Sequence, residues 1–139
     1  MIALVQRVSR AEVHVGTRCT GVIDAGLLVF VCAQSDDTGA VCARLVDKLA
    51  KLRIFGDAAG KMNPSLLDVQ GGLLLVSQFT FAADLTRGNR PSFTGAAPPE
   101  LGRRCYDQVV ACARAVLPQV ACGEFGAPMQ VSLLTSSPP

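Results

Sequence analysis

The sequence predicts one mixed α/β domain, its sheets largely antiparallel, with two main helices. Three observations predict it. The chain has 139 residues, half of them hydrophobic and 17% charged, which suits a single domain with one real core. Disordered chains are poorer in apolar residues and richer in charge. The elements read in the order strand-rich, helix, strand-rich, helix, strand. The early strands follow one another with no helix between them, and such strands pair antiparallel.

Ile2 to Val8 is a β-rich run interrupted by Gln6 and Arg7, and Glu12 to Thr17 alternates apolar with polar residues. Asp24-Ala25-Gly26 signals a turn before the apolar run Leu27 to Cys32, which reads as a buried strand. Asp36, Asp37 and Thr38 offer an N-cap, and Val41, Leu45, Val46, Leu49 and Leu52 then recur at helical spacing. A helix is therefore expected over about 38–52. Arg53-Ile54-Phe55 reads as a short strand, and residues 56–61 as a hairpin-like turn. Asn63-Pro64-Ser65 opens a short helical turn. Leu73 to Thr80 is the most strand-like run of the chain. Residues 87–95 hold Gly, Asn and Pro and read as a long loop. Pro98-Pro99-Glu100 starts a second helix whose buried stripe is Leu101, Cys105, Val109, Cys112 and Val116, with Pro118 stopping it. Met129 to Leu134 is a last strand. No repeat or linker divides residues 1–139.

Composition excludes several classes of function. The most apolar stretches fall far short of the roughly 20 residues a bilayer span needs. Arg7 and Arg10 sit where a signal peptide would be apolar, so a soluble cytoplasmic protein is expected. A net charge of +2 is too small to mark a nucleic-acid binder by itself. Arg44, Lys48, Lys51, Arg53 and Lys61 cluster, however, and Arg87 and Arg90 flank Gly88-Asn89. These form either a solvated charged face or contacts to a phosphate backbone.

The six cysteines show no C-x-x-C spacing, so they read as buried free thiols rather than ligands or redox pairs. The one histidine, His14, shares the outer face of an alternating strand with Glu12 and reads as solvent-facing. With so few donors no metal site is expected, and no cofactor. Histidine-based nucleophilic chemistry would then lack its base.

Ser77-Gln78-Phe79-Thr80 breaks the apolar rule of its own strand. It is either a strand leaving the core or a set of hydroxyl, amide and backbone N–H groups at a pocket edge. Groups of that kind can hold a carbonyl oxygen or a ribose without titrating. The stretch Ser77-Gln78-Phe79-Thr80-Phe81 resembles the Ser-Gln-Phe-Thr-Leu signature of the D-aminoacyl-tRNA deacylases. The opening Met1 to Val8, Gly26-Leu27-Leu28-Val29, Leu52 to Phe55 with Gly60 to Asn63, and Arg90-Pro91-Ser92-Phe93 are similar to that family too. So is Gly123-Glu124-Phe125-Gly126-Ala127 with Met129-Gln130-Val131. Several matches in order make the resemblance specific where one five-residue motif would not be.

The resemblance implies a deacylase-like fold with a β-barrel-like core. It implies a homodimer that hydrolyses the ester between a D-amino acid, or glycine, and the terminal adenosine of tRNA, sparing L-aminoacyl-tRNA. Ser77, Gln78 and Thr80 then take the catalytic positions, and Phe79, Arg7 and Met129 line the substrate pocket. An unactivated Thr80 hydroxyl is a weak nucleophile. Substrate positioning, with the ribose 2′-hydroxyl assisting water, therefore fits these residues better than attack by Thr80. The family's second motif, Asn-x-Gly-Pro-Val-Thr, enters the partner's pocket through a cis Gly-Pro bond and rejects L side chains. Here Ser137-Pro138 stands at the Gly-Pro position, Pro139 replaces the valine, and the closing strand is expected to be truncated. Serine lacks the backbone freedom of glycine, so chiral rejection is where this chain departs most. The departure keeps two other readings open. One is a non-catalytic tRNA- or protein-binding homologue, and the other is a small-molecule esterase with Thr80 as nucleophile.

Overall fold

A computed structural model describes residues 1–78, 86, 88–93 and 95–135. β1 (Ile2–Val15), β2 (Arg18–Ile23) and β3 (Gly26–Cys32) open the chain. α1 (Gly39–Lys51), α2 (Leu66–Val69) and β4 (Gly72–Ser77) follow. α3 (Pro99–Val116), β5 (Val120–Cys122) and β6 (Gln130–Thr135) complete the order. The mixed α/β class with two long helices is as expected. The runs Ile2–Val8 and Glu12–Thr17, read separately, fall on one strand that ends at Val15, with Gly16 and Thr17 in the turn after it.

β1 is the seam of the sheet. It turns into β2 through Gly16-Thr17, and Val15 faces Arg18 across the turn. Gly16 has φ 62°, the left-handed angle that the first position of a two-residue hairpin demands. β2 and β3 then lie end to end along one edge of β1, with Ala11 opposite Ile23 and Val8 opposite Gly26. β6 takes the other edge, antiparallel. β4 runs parallel to β3 and β5 parallel to β4, each reached by a crossover through helix. The six-stranded sheet curls until β2 meets β5. A Cβ on Gly21 would lie 3.0 Å from the Cys122 carbonyl oxygen and 3.1 Å from Leu74 Cδ1. The result is a nearly closed barrel.

The apolar runs of β3 and β4 are continuous because both faces are buried. Leu28, Leu74 and Val76 point into the barrel with Val8, Ala11, Val13 and Ile23. Leu27, Val29, Val31, Leu73 and Leu75 point the other way, against Cys42, Val46 and Leu49 of α1 and Cys105 and Val109 of α3. β1 changes face along its length. Ala3 and Val5 pack on the helix layer, whereas Val8, Ala11 and Val13 fill the barrel, and its register with β6 shifts between Val8 and Arg10.

Other expectations need correction. Arg53-Ile54-Phe55 is not a strand. The Arg53 guanidinium donates to Asn63 Oδ1 and the Asn63 carbonyl instead, at 2.6 and 3.0 Å. The turn after it is real, with Asp57 Oδ1 accepting from the backbone N–H groups of Ala59 and Lys61. The buried stripe of α3 is rotated from the one expected: Val116 is 51% exposed, and Tyr106, Val110 and Ala113 are buried beside Cys105 and Val109. β2 carries too few apolar residues, and β5 is too short at three residues, to show a period, and neither is expected from the sequence. Cys32, Cys42 and Cys105 are buried as expected, but Cys19 is exposed. None of the six cysteines is in a disulfide. Among the described residues no helix is long and apolar enough to cross a membrane.

Candidate active site

Parallel strands gather their carboxyl ends on one side, and in open α/β sheets that is where ligands bind. β3 ends at Cys32 and β4 at Ser77, side by side, with Val31 paired to Ser77. A cavity of about 940 Å³ opens there. Ser77 and Gln78 stand on its β4 side, Phe30 and Cys32 on its β3 side, and Phe125 and Met129 close it from the C-terminal segment. Residues 95–97 strap over the end of β3, where the Ala97 N–H donates to the Ala33 carbonyl at 3.1 Å. That strap leads straight into Pro99, at the start of α3.

The base of the cavity is fixed by Tyr106. Its hydroxyl donates to the Leu75 carbonyl at 2.8 Å and lies 3.2 Å from the Gly123 carbonyl. Burial, and secondarily the nearby Cys122, push its phenol well above the usual range, so it stays protonated and donates. Its ring lies 6.0 Å from that of Phe125. No Asp, Glu, His, Lys or Arg is among the described lining residues. The described lining therefore offers apolar surface, a hydroxyl and an amide. The Gln78 backbone N–H is already used, donating to the Val31 carbonyl at 2.8 Å.

The structure thus brings together three of the residues expected at the site: Ser77, Gln78 and Met129. Arg7 is placed elsewhere. Its guanidinium donates to the Ile54 carbonyl at 2.6 Å, and it lines a second, shallower depression with Asp24, Phe55 and Gln70. Phe79, Thr80, Ser137 and Pro138 lie outside the described residues, and with them the expected cis Ser137-Pro138 bond. His14 is half-buried on β1 and takes no part in the cavity lining. Tyr106 and Phe125 were missed as site residues. Tyr106 had a signal, being the sole tyrosine and lying at helical spacing from Val109, Val110 and Ala113.

Fold and site define an α/β barrel-like protein with a largely apolar cavity at the carboxyl ends of two parallel strands. The family described as D-Tyr-tRNA(Tyr) deacylase matches residues 4–139. A D-aminoacyl-tRNA deacylase of Methylibium petroleiphilum is 59% identical over 138 residues, covering 99% of this chain and 91% of the relative. One of Paraburkholderia phymatum is 58% identical over 143 residues, covering 99% and 94%. Among solved structures, the c-Myc DNA Unwinding Element Binding Protein superposes with TM-score 0.91 at 35% identity, over 99% of this chain and 93% of its own. A probable eukaryotic D-amino acid tRNA deacylase has TM-score 0.84 at 17% identity, over 98% and 94%, which shows the shared fold. This chain belongs to the D-Tyr-tRNA(Tyr) deacylase family.

Proposed function

We propose that the protein hydrolyses the ester joining a D-amino acid to the 3′-terminal adenosine of tRNA, releasing the free amino acid and tRNA. Membership of the family and relatives named D-aminoacyl-tRNA deacylase support the reaction. The observation that carries the reading on this chain is the cavity itself, polar at Ser77 and Gln78 and without a charged side chain among its described lining. Water oxygen bonds to the ester carbonyl carbon, the bond to the ribose oxygen breaks, and the proton lost by water ends on that oxygen. No histidine or carboxylate is among the described lining, and the ribose 2′-hydroxyl is the group that assists the water. Ser77 and Gln78 hold the substrate, Met129 and Phe79 pack against it, and Thr80 positions it rather than attacking. Glycine esters fit the same scheme, since glycine has no side chain to exclude.

The rest of the assignment is also ours. The enzyme acts in the cytoplasm as a proofreading homodimer, with the pocket completed by the Ser137-Pro138 end of the partner chain. Leu4 and Leu134, 53% and 63% exposed on β1 and β6, offer an apolar surface to that second copy. The exposed Arg44, Lys48 and Lys61 offer contacts to the tRNA backbone.

D-Tyr-tRNA and L-Tyr-tRNA, each incubated with the full chain, test the proposal. Release of D-tyrosine alone is expected. No release of either would favour the non-catalytic homologue, and release of both would leave a hydrolase without its chiral filter. Thr80→Ala is expected to slow the reaction without abolishing it. A monomeric mass in solution would argue against a pocket completed across subunits.

A further inference from the structure

A cluster of three different donors lies on the outer face of the β1–β2 hairpin, away from the cavity. The carboxylate of Glu12, the imidazole of His14 and the thiol of Cys19 all lie within 4.8 Å of one another. An irregularity in the hairpin brings them together. Val13 pairs with Gly21, but His14 pairs with Cys19, so Thr20 is skipped. In a regular ladder Thr20 would face His14, and Cys19 would sit opposite Val15 on the other face. The bulge moves the thiol onto the imidazole's face and leaves it exposed there. Glu12 joins them because it lies two residues before His14 on the same strand face.

We propose that Glu12, His14 and Cys19 form a binding site for a thiophilic divalent cation of the zinc class. Tetrahedral zinc with thiolate, imidazole and carboxylate ligands holds its donor atoms about 3.5 Å apart. The present spread closes to that by side-chain rotation, since Cys19 is exposed and Glu12 and His14 are half-buried. Binding displaces the thiol proton to solvent. Three protein ligands leave a fourth position for water. A thiolate with an imidazole favours zinc or cobalt over magnesium or calcium. The local competition is modest. Arg10 Nη2 lies 3.4 Å from Glu12 Oε2, but that pair is exposed and weak. Cys19 Sγ donates to the Gly21 carbonyl at 3.6 Å, a contact that ends when the thiol ionises. A bound ion would cross-link β1 and β2 at their bulge.

The test is a cobalt(II) titration of the untagged, reduced full chain, followed by displacement with zinc. One equivalent per chain, with a thiolate-to-cobalt charge-transfer band that zinc abolishes, is expected. Cys19→Ser should remove the band. His14→Ala and Glu12→Gln should each weaken binding by at least the ~10-fold that even outer partners of a metal site contribute. Zinc should raise the melting temperature of the wild type and not of Cys19→Ser. A band that survives in Cys19→Ser, or binding well below one equivalent, would overturn the proposal. All three substitutions are at the surface of the hairpin, and unchanged melting without metal confirms that each variant is folded.

Discussion

The Tyr106 hydroxyl donates to the Leu75 carbonyl at 2.8 Å and so ties α3 to β4 beneath the cavity. The same carbonyl accepts the Gly123 N–H at 2.9 Å, so three segments meet at one oxygen. Tyr106→Phe removes the phenol and leaves Leu75 with its second donor. A loss of about 1 kcal/mol is expected, the net contribution of one buried hydrogen bond, measured by urea unfolding. A loss above about 3 kcal/mol would show that the phenol holds more than this junction.

Gly26 and Gly72 touch through their backbones where β3 and β4 begin to pair. A Cβ on Gly26 would stand 1.9 Å from the Gly72 carbonyl oxygen, and backbone cannot step aside. Gly26→Ala should cost on the order of 3 kcal/mol or more, or prevent soluble folding. Gly95→Ala is the control, because a Cβ there meets nothing within 4 Å. It should leave the melting temperature within a few degrees of the parent.

The Met1 α-amino group lies 2.8 Å from Asp37 Oδ1, with both groups almost fully buried. Asp37 Oδ2 also accepts the Gln34 N–H at 2.7 Å. Breaking a buried pair by removing one partner strands the other charge, at about 3–5 kcal/mol. Asp37→Ala should lose that much stability. A residue added before Met1 should destabilise in the same direction, because it turns the amine into an amide. Equal unfolding midpoints for tagged and untagged chains would contradict this.

Alkali should weaken the fold through Cys42. Burial pushes its thiol up from 9.0 to about 11, with Cys105 adding to the shift. The folded chain then keeps a proton that the unfolded chain loses. Stability should fall as pH rises from about 9 to about 11. The slope should flatten in Cys42→Ala. At pH 8 a thiol reagent should label exposed Cys19 long before Cys42, as read by peptide mass.

Catalysis should be indifferent to His14. No titratable carboxylate or imidazole is among the described lining of the cavity. The deacylation rate, divided by spontaneous ester hydrolysis, should show no bell between pH 6 and 8. His14→Ala should deacylate at the parent rate.

What could be read from the sequence had a strong period or a strong motif. α1 emerged within a residue of its ends because Val41, Leu45, Val46 and Leu49 repeat at helical spacing. β3 and β4 emerged because their runs are apolar on both faces. Ser77 and Gln78 stood out as polar side chains at the end of such a run, and the cavity opens beside them. β2 was hidden because Arg18, Cys19, Thr20 and Gly21 have no alternation. The Glu12–His14–Cys19 cluster was hidden for a related reason. It depends on a bulge, and a one-residue slip sends a side chain to the opposite face. Arg7 was expected at the pocket from the family resemblance; its guanidinium donates to the Ile54 carbonyl, 47 residues on, a contact no local pattern shows.

The strand made first is also the strand that waits longest. β1 pairs with β2 and β3 early in the chain, but its other edge receives β6. During synthesis that edge emerges with its N–H and C=O groups unpaired. It stays so until residues 130–135 leave the ribosome. The barrel can be completed only after residues 130–135 have been made, and any nascent chain halted before Gln130 exposes a ready template for pairing with its neighbours.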